Sequence, residues 1–393
     1  MIYLDNAATT RITHEVIEEM LPFFGDCFGN PGAIYKIGRE AAQAVDRARE
    51  RIARLFGAKP EQIIFTSGGS EANNAVFAGM KDLLLKHGKS TIIVSETEHD
   101  SVKKAAEALK ENSFCRVCSA PVNRFGEVKL DVLEEIIAYC DTDFVIVSAM
   151  YVNNETGAVN DVESIGKLCR KHGALFHTDC VQAAGCHPID VEKIDCDFAT
   201  VSSHKIHGCK GVGALYIRDK SLISPMIYGG NTQEFGLRGG TENVAGIVGF
   251  GKAAELAYYA QEATLKKVTE CKLRFFKAAS DSLIKRGFGD IISVNGRLET
   301  PGKTLSLHIK NIDAETLVLM LDTRDICISA GSACRSHESE PSNVLLAMGL
   351  TPDEARNSVR ISFSEDNTFE ETDRAATALA DCVALMSDVK TMC

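Results

Sequence analysis

The sequence predicts an α/β protein built around a largely parallel sheet, followed by a smaller α+β unit. Two patterns and the chain length lead there. Between about residues 36 and 254, helical patterns alternate with short apolar runs, as in successive strand–helix–strand units. After about residue 250 a long helical stretch gives way to a few strands with helices between them. At 393 residues the chain is longer than a single core normally grows, so two or three units are expected.

In chain order, KIGREAAQAVDRARERIARLF sets Ile37, Ala41, Ala44, Val45, Ala48, Ile52 and Leu55 on one helical stripe, and Gly57 supplies its stop. Strands are expected at QIIFT, TIIVS, DFVIVSA, ALFHT, DFATVSS and GALYI, with helices at SEANNAVFAGMKDLLLKH and VESIGKLCRKHG. The glycine-rich stretch from Gly229 to Gly240 reads as a hinge or contact loop. Beyond it, AGIVGFGKAAELAYYAQEATLKKVTECKLRFFKAASDSLIKRG is helical, and TLSLHI, ICIS and SVRISF are strands of the smaller unit. No internal repeat or low-complexity tract interrupts the chain.

Composition excludes several classes. The hydrophobic fraction is 45% and the charged fraction 25%, with no run of about 18 apolar residues that could cross a bilayer. MIYLDNAATT has neither a secretory nor an Arg-rich targeting pattern, so a cytoplasmic location is expected. A net charge of −11 argues against phosphate-driven nucleic-acid binding. The 14 cysteines are too dispersed for a disulfide framework and read as reduced thiols. Cys115 and Cys118 form a lone C-x-x-C without a second pair, and His204 and His207 lack further ligands, so no metal site is expected.

In an open parallel sheet, ligands gather beyond the carboxyl ends of the strands. The residues directly after each apolar run are therefore the candidates. TSGGSEANN brings Gly69 and Ser70 to a helix start, which suits a phosphate but equally a plain glycine turn capped by Ser70. His99 follows TIIVSETE and Asn154 lies in VNNETG; each alone is also compatible with a surface position. Asp179 and Gln182, in FHTDCVQ, sit at a strand end where a buried carboxylate needs a partner such as a cationic ring nitrogen. Lys205 follows the next strand beside Ser202 and His204, and a lysine amine in the neutral state can form a Schiff base.

Taken together, YLDNAATT, FTSGGSEANN, TEHDSV, VNNETG, FHTDCVQA, SSHKIHG, GLRGGTEN, SAGSACRS and VRISF make nine motifs in one order from Tyr3 to about Thr368. Through them the chain resembles the NifS/IscS-type cysteine desulfurases of the class V aminotransferase group. The resemblance implies the type I aminotransferase fold and pyridoxal 5'-phosphate as cofactor. It also implies a large domain over 15–254 and a small one from 1–14 and 255–393, with a catalytic loop at about 327–341 of the extended kind.

By the same resemblance, Lys205 would carry the cofactor as a Schiff base and Asp179 would pair with its protonated pyridine nitrogen. His99 would stack on the ring and act as an acid. Asn154 and Gln182 would meet its phenolic oxygen, and Gly69, Ser70, Ser202 and His204 its phosphate. Thr241 would reach the phosphate of a second subunit, making a homodimer. Arg360, with Asn154, would bind the substrate carboxylate. Cys334 would take sulfur from L-cysteine as a persulfide, leave alanine, and pass the sulfur to an acceptor protein, either an iron–sulfur scaffold or a tRNA thiolation factor.

Three departures from the family pattern stand out. Cys209 follows the H-K-x-x-G turn where proline is usual, Asn231, Thr232 and Phe235 alter the glycine-rich loop, and Arg335 adjoins Cys334. Selenocysteine lyase, another aminotransferase or lyase on the same fold, and a relay protein without catalysis are the competing readings.

Overall fold

The computed structural model describes residues 1–112, 115–230, 232–331 and 341–392; Cys334, Arg335 and Asn231 lie outside the described residues. In chain order the strands are β1 (Ile2–Tyr3), β2 (Ile63–Thr66), β3 (Ser90–Ser95), β4 (Arg116–Ala120), β5 (Phe144–Ser148), β6 (Leu175–Asp179), β7 (Phe198–Ser202), β8 (Gly213–Ile217), β9 (Ile292–Val294), β10 (Thr304–Ile309), β11 (Ile326–Cys327) and β12 (Ser358–Ser362). Seven of them form one sheet in the order β2-β8-β7-β6-β5-β3-β4. From β7 to β4 the neighbours run parallel, and β8 is antiparallel to both β7 and β2. The carboxyl ends of β2, β3, β5, β6 and β7 therefore share one edge.

These strands are buried on both faces, as parallel strands covered by helices should be. One face packs in a cluster with Ile63, Phe65, Ile93, Val147, Phe176 and Val201. The other packs Ile64, Ile92, Ile146, Phe198, Leu215 and Ile217 against Val76, Phe77 and Leu84. The helix Lys36–Phe56 buries the expected alanine, valine and isoleucine stripe, and Gly57 ends it in the left-handed conformation at φ 65°. It packs on the helix Val244–Lys285 so closely that a Cβ on Gly251 would stand 2.6 Å from the Ala48 Cα.

A third cluster gathers Ile2, Leu4, Val268, Phe275, Leu283, Leu305, Leu307, Val359, Ile361, Phe363 and Leu379. It contains the antiparallel sheet β12-β10-β9 and the parallel pair β1-β11. The first and last parts of the chain thus share one core. Val344, Leu345, Met348 and Ala355 instead join the cluster under the large sheet. The single helix Val244–Lys285, 42 residues long, runs through both units.

Three local features differ from what the sequence pattern led one to expect. Strand β4 has no apolar run; its residues Arg116, Val117, Cys118 and Ser119 are exposed or half-buried at the sheet margin. The cap of the helix Gly69–Gly79 is Gly68 and not Ser70, which lies in the first turn. The glycine-rich loop is pinned down: Glu234 forms a two-pronged ion pair with Arg49 at 2.7 and 2.8 Å and accepts the Phe65 backbone N–H at 2.6 Å. Among the described residues, all twelve cysteines are free thiols, and no helix is long and apolar enough to cross a membrane.

Candidate active site

A cavity of about 500 Å³ opens at the shared carboxyl edge of the large sheet. Gly69 and Ser70 follow β2, His99 follows β3, Asn154 follows β5, Asp179 ends β6, and Ser202, His204 and Lys205 end or follow β7. All of these line the cavity, as do Gln182 and Arg360. Thr241 does not line it and is exposed to solvent. Cys334 is outside the described residues, but Asn343 and Val344, shortly after it in the chain, also line the cavity.

Asp179 is buried, and its carboxylate is held by two donors. Asn73 Nδ2 lies 2.8 Å from Oδ2, and the Val181 backbone N–H donates to Oδ1 at 2.9 Å. Both hold it in one orientation. Glu98 is buried beside it, takes the Met150 N–H on Oε1, and has an Oε2 with no partner among the described residues. Burial first, and the negative Asp179 second, push the Glu98 carboxyl up to about 8. At neutral pH Glu98 therefore keeps its proton.

The segment from Asp5 to Thr10 supplies much of the remaining framework. Lys205 Nζ donates to the carbonyls of Ala7 and Ala8 at 2.6 and 2.7 Å, and Gln182 Nε2 to that of Ala7 at 2.9 Å. His204 Nδ1 meets the Thr9 hydroxyl at 3.1 Å, while Thr10 holds the His204 carbonyl. Burial, then the nearby Lys205, Lys210 and Lys303, lower His204 to about 4, so its ring is neutral at pH 7. Arg360, almost fully buried, donates to the Asn154 carbonyl at 3.1 Å and to Asp5 at 2.8 Å. Its backbone pairs with Ser329, and Ser342 donates to Glu155 next to Asn154.

His99 caps the helix Asp100–Glu111, with Nδ1 accepting the Ser101 backbone N–H at 3.1 Å. The Ser101 hydroxyl lies 2.8 Å from the same nitrogen, and Asn73 Nδ2 lies 2.9 Å from that hydroxyl. Asn73, Glu98, Ser101, Glu155, Asp5 and the carbonyls of Ala7 and Ala8 line or brace the cavity and were not among the candidates named from the sequence. Their only sequence signal was their position inside YLDNAATT, FTSGGSEANN, TEHDSV and VNNETG.

This arrangement sets an amine, a buried carboxylate, a guanidinium and the first turn of a helix around one cavity. The cap position of that helix is glycine, so its first turn, with Gly69 and Ser70 on the cavity wall, carries no side-chain cap. Such a set suits a ligand bearing an aldehyde, a basic ring nitrogen and a phosphate, together with a small carboxylate. Gln182 Oε1 and Asn73 Oδ1 are buried without partners among the described residues. The described residues contain no cluster of three or more side chains suited to a metal ion.

The family described as Aminotransferase class-V matches residues 2–375. A protein described as Cysteine desulfurase IscS from Dictyoglomus turgidum (strain DSM 6724 / Z-1310) is 38% identical over 370 residues, 94% of this chain and 91% of its own. One of the same description from Anaeromyxobacter sp. (strain Fw109-5) is 39% identical over 394 residues, 99% and 94% of the two chains. Among solved structures, a NIFS-LIKE PROTEIN aligns at a TM-score of 0.86 with 34% identity, covering 98% of this chain and 99% of its own. Another, described as SspA in complex with cysteine, aligns at 0.77 with 33% identity over 94% of this chain and all 100% of its own.

Proposed function

Because this chain belongs to the class-V aminotransferase family and its relatives are cysteine desulfurases, we propose that it is one too, moving sulfur from L-cysteine onto Cys334 and releasing L-alanine. Its fold is that of the type I pyridoxal-phosphate enzymes. The observation that carries the reading is the Lys205 amine and the Asp179 carboxylate across one cavity, with the helix start at Gly69 beside them.

Lys205 would hold pyridoxal 5'-phosphate through its amine, Asp179 would take the ring nitrogen, and Gly69, Ser70, Ser202 and neutral His204 the phosphate. The unpartnered Gln182 Oε1 and the donor set around Asp179 fit such a group. When bound, the cofactor supplies an electron sink for the α-carbon of the substrate. Arg360, with Asn154 beside it, binds and orients the cysteine carboxylate. The Lys205 amine, held by the carbonyls of Ala7 and Ala8 when it is not bonded to the cofactor, would move the α-proton. The Cys334 thiolate attacks the substrate sulfur; the new S–S bond forms as the C–S bond breaks, its electron pair stays with the carbon skeleton, and protonation there yields alanine. His99 donates a proton in that sequence.

The persulfide then passes to an acceptor protein, either an iron–sulfur scaffold or a tRNA thiolation factor. Exposed Thr241 supports a homodimer in which it serves the neighbouring subunit's phosphate. The free thiols support a reducing compartment such as the cytoplasm. The division into 15–254 and the joined 1–14 and 255–393 is proposed from the shared core of the chain ends.

The test is a pair of assays on cofactor-loaded protein. Borohydride reduction should fix the cofactor to Lys205, read as a mass increment on the peptide bearing it. Wild type should release alanine and, with a thiol reductant, sulfide in equal amounts, whereas Cys334→Ala should stay yellow and release neither. A Cys334→Ala variant as active as wild type would overturn the assignment of the thiol, and a protein that takes up no cofactor would overturn the function.

A further inference from the structure

The structure assigns Asn73 and Ser101 as positioning residues that fix the His99 ring as the tautomer with its proton on Nε2. This deepens the desulfurase reading and rests on it for the catalytic consequence only. Nδ1 of His99 faces the Ser101 backbone N–H at 3.1 Å, a group that can only donate, so Nδ1 must be the unprotonated acceptor. The Ser101 hydroxyl lies 2.8 Å from the same nitrogen. With Nδ1 unprotonated, the hydroxyl must be the donor in that second bond, and Asn73 Nδ2, donating to the same oxygen at 2.9 Å, holds the hydroxyl in place for it.

The orientation of the Asn73 amide is in turn fixed from its other side. Nδ2 also donates to Asp179 Oδ2 at 2.8 Å, and the reverse orientation would set an amide oxygen against a carboxylate. Asn73 is buried and leaves its own Oδ1 without a partner among the described residues, which is the cost of aiming both hydrogens at Asp179 and Ser101. One amide therefore aims the carboxylate that holds one part of the ligand and, through one hydroxyl, the imidazole on the cavity wall. The ring so held is a neutral proton donor through Nε2, with its acceptor lone pair spent on the start of its own helix. Taking a second proton on Nδ1 would require giving up the bond from the backbone N–H and turning the Ser101 hydroxyl round.

The experiment is nitrogen NMR of the full chain, loaded with pyridoxal phosphate and labelled with [15N]histidine, with the His99 resonances identified by their loss in His99→Gln. Wild type is expected to show an unprotonated, hydrogen-bonded Nδ1 and a protonated Nε2. Ser101→Ala keeps the backbone donor and removes the hydroxyl, so the Nδ1 resonance should move toward that of a weaker acceptor; Asn73→Ala should move it the same way by a smaller amount. In turnover, Ser101→Ala should lower kcat about 10-fold with KM for cysteine unchanged, and Ser101→Thr, which keeps a hydroxyl, should restore it. A wild-type ring protonated on Nδ1, or an Nδ1 resonance that stays put in both variants, overturns the proposal. Since the resonances are read without turnover, a protein that releases no alanine overturns the desulfurase reading and leaves this result to be decided by the spectra.

Discussion

Asp5 and Arg360, 355 positions apart in the chain, meet at 2.8 Å beside the cavity. The guanidinium assigned to the substrate carboxylate is thus already faced by a carboxylate of the protein, and an incoming anion must share it.

Replacing Asp5 tests that sharing. Asp5→Asn removes the like charge and keeps the shape, so KM for L-cysteine should fall several-fold. The Arg360 charge, buried and without its counter-ion, should at the same time lower stability by about 2 to 3 kcal/mol. Steady-state kinetics and a denaturation curve on the same preparation read both; an unchanged KM would show that Asp5 does not compete for the guanidinium.

Glu98 predicts a loss of stability toward alkaline pH. The folded protein keeps its proton up to about 8, whereas the unfolded chain releases it near 4.5. The contribution is complete below pH 4.5 and is lost as pH rises through 8. Glu98→Gln cannot ionise and retains an acceptor for the Met150 N–H. Its unfolding free energy relative to wild type should therefore grow by a few kcal/mol between pH 5 and 9. A flat difference would mean that Glu98 is ionised in the folded state.

Three histidines act in the opposite sense. His177, His187 and His204 are each lowered to about 4, chiefly by burial. The unfolded chain takes up their protons near pH 6.5 and the folded one only near 4, so stability is lost as pH falls between those values. Near pH 5 these three histidines, net of the proton that Glu98 holds, should contribute an uptake of about two protons on unfolding, a slope of about 3 kcal/mol per pH unit from these groups. In Glu98→Gln the slope should approach three protons. Urea melts across that range measure it, and a slope below one proton would contradict the assignment.

Glu234→Ala should cost about 3 to 5 kcal/mol, because it strands Arg49, buried under the Phe235 ring, without its ion pair. The same change should expose the loop from Gly229 to Gly240 to limited proteolysis. A variant as resistant as wild type would show that the loop is held by other contacts.

The parallel sheet was legible because its strands are short apolar runs, and the site was legible because its side chains come directly after them. Lys205, Asp179, His99 and Asn154 all follow that rule. Strand β4 was missed because, at the margin of the sheet, Arg116 and Ser119 carry no apolar signal. Ser70 looked like a cap from its residue type, yet Gly68 provides the turn. The carbonyls of Ala7 and Ala8 left no trace in the side-chain pattern, since a backbone acceptor looks the same at every residue. Asn73 and Ser101 matter through partners far from them in sequence, and such pairings are fixed only once the strands are in register.

The segment from Asp5 to Thr10 holds Lys205, Gln182, His204 and Arg360, every one of them more than 170 positions downstream. It is made before all of these partners, and the last of them, Arg360, is made 355 positions after Asp5. During synthesis the large sheet can form while this segment still waits, unpaired, for residues not yet made. The cavity is therefore completed late, so a nascent or truncated chain can be well folded through much of its length and still lack it.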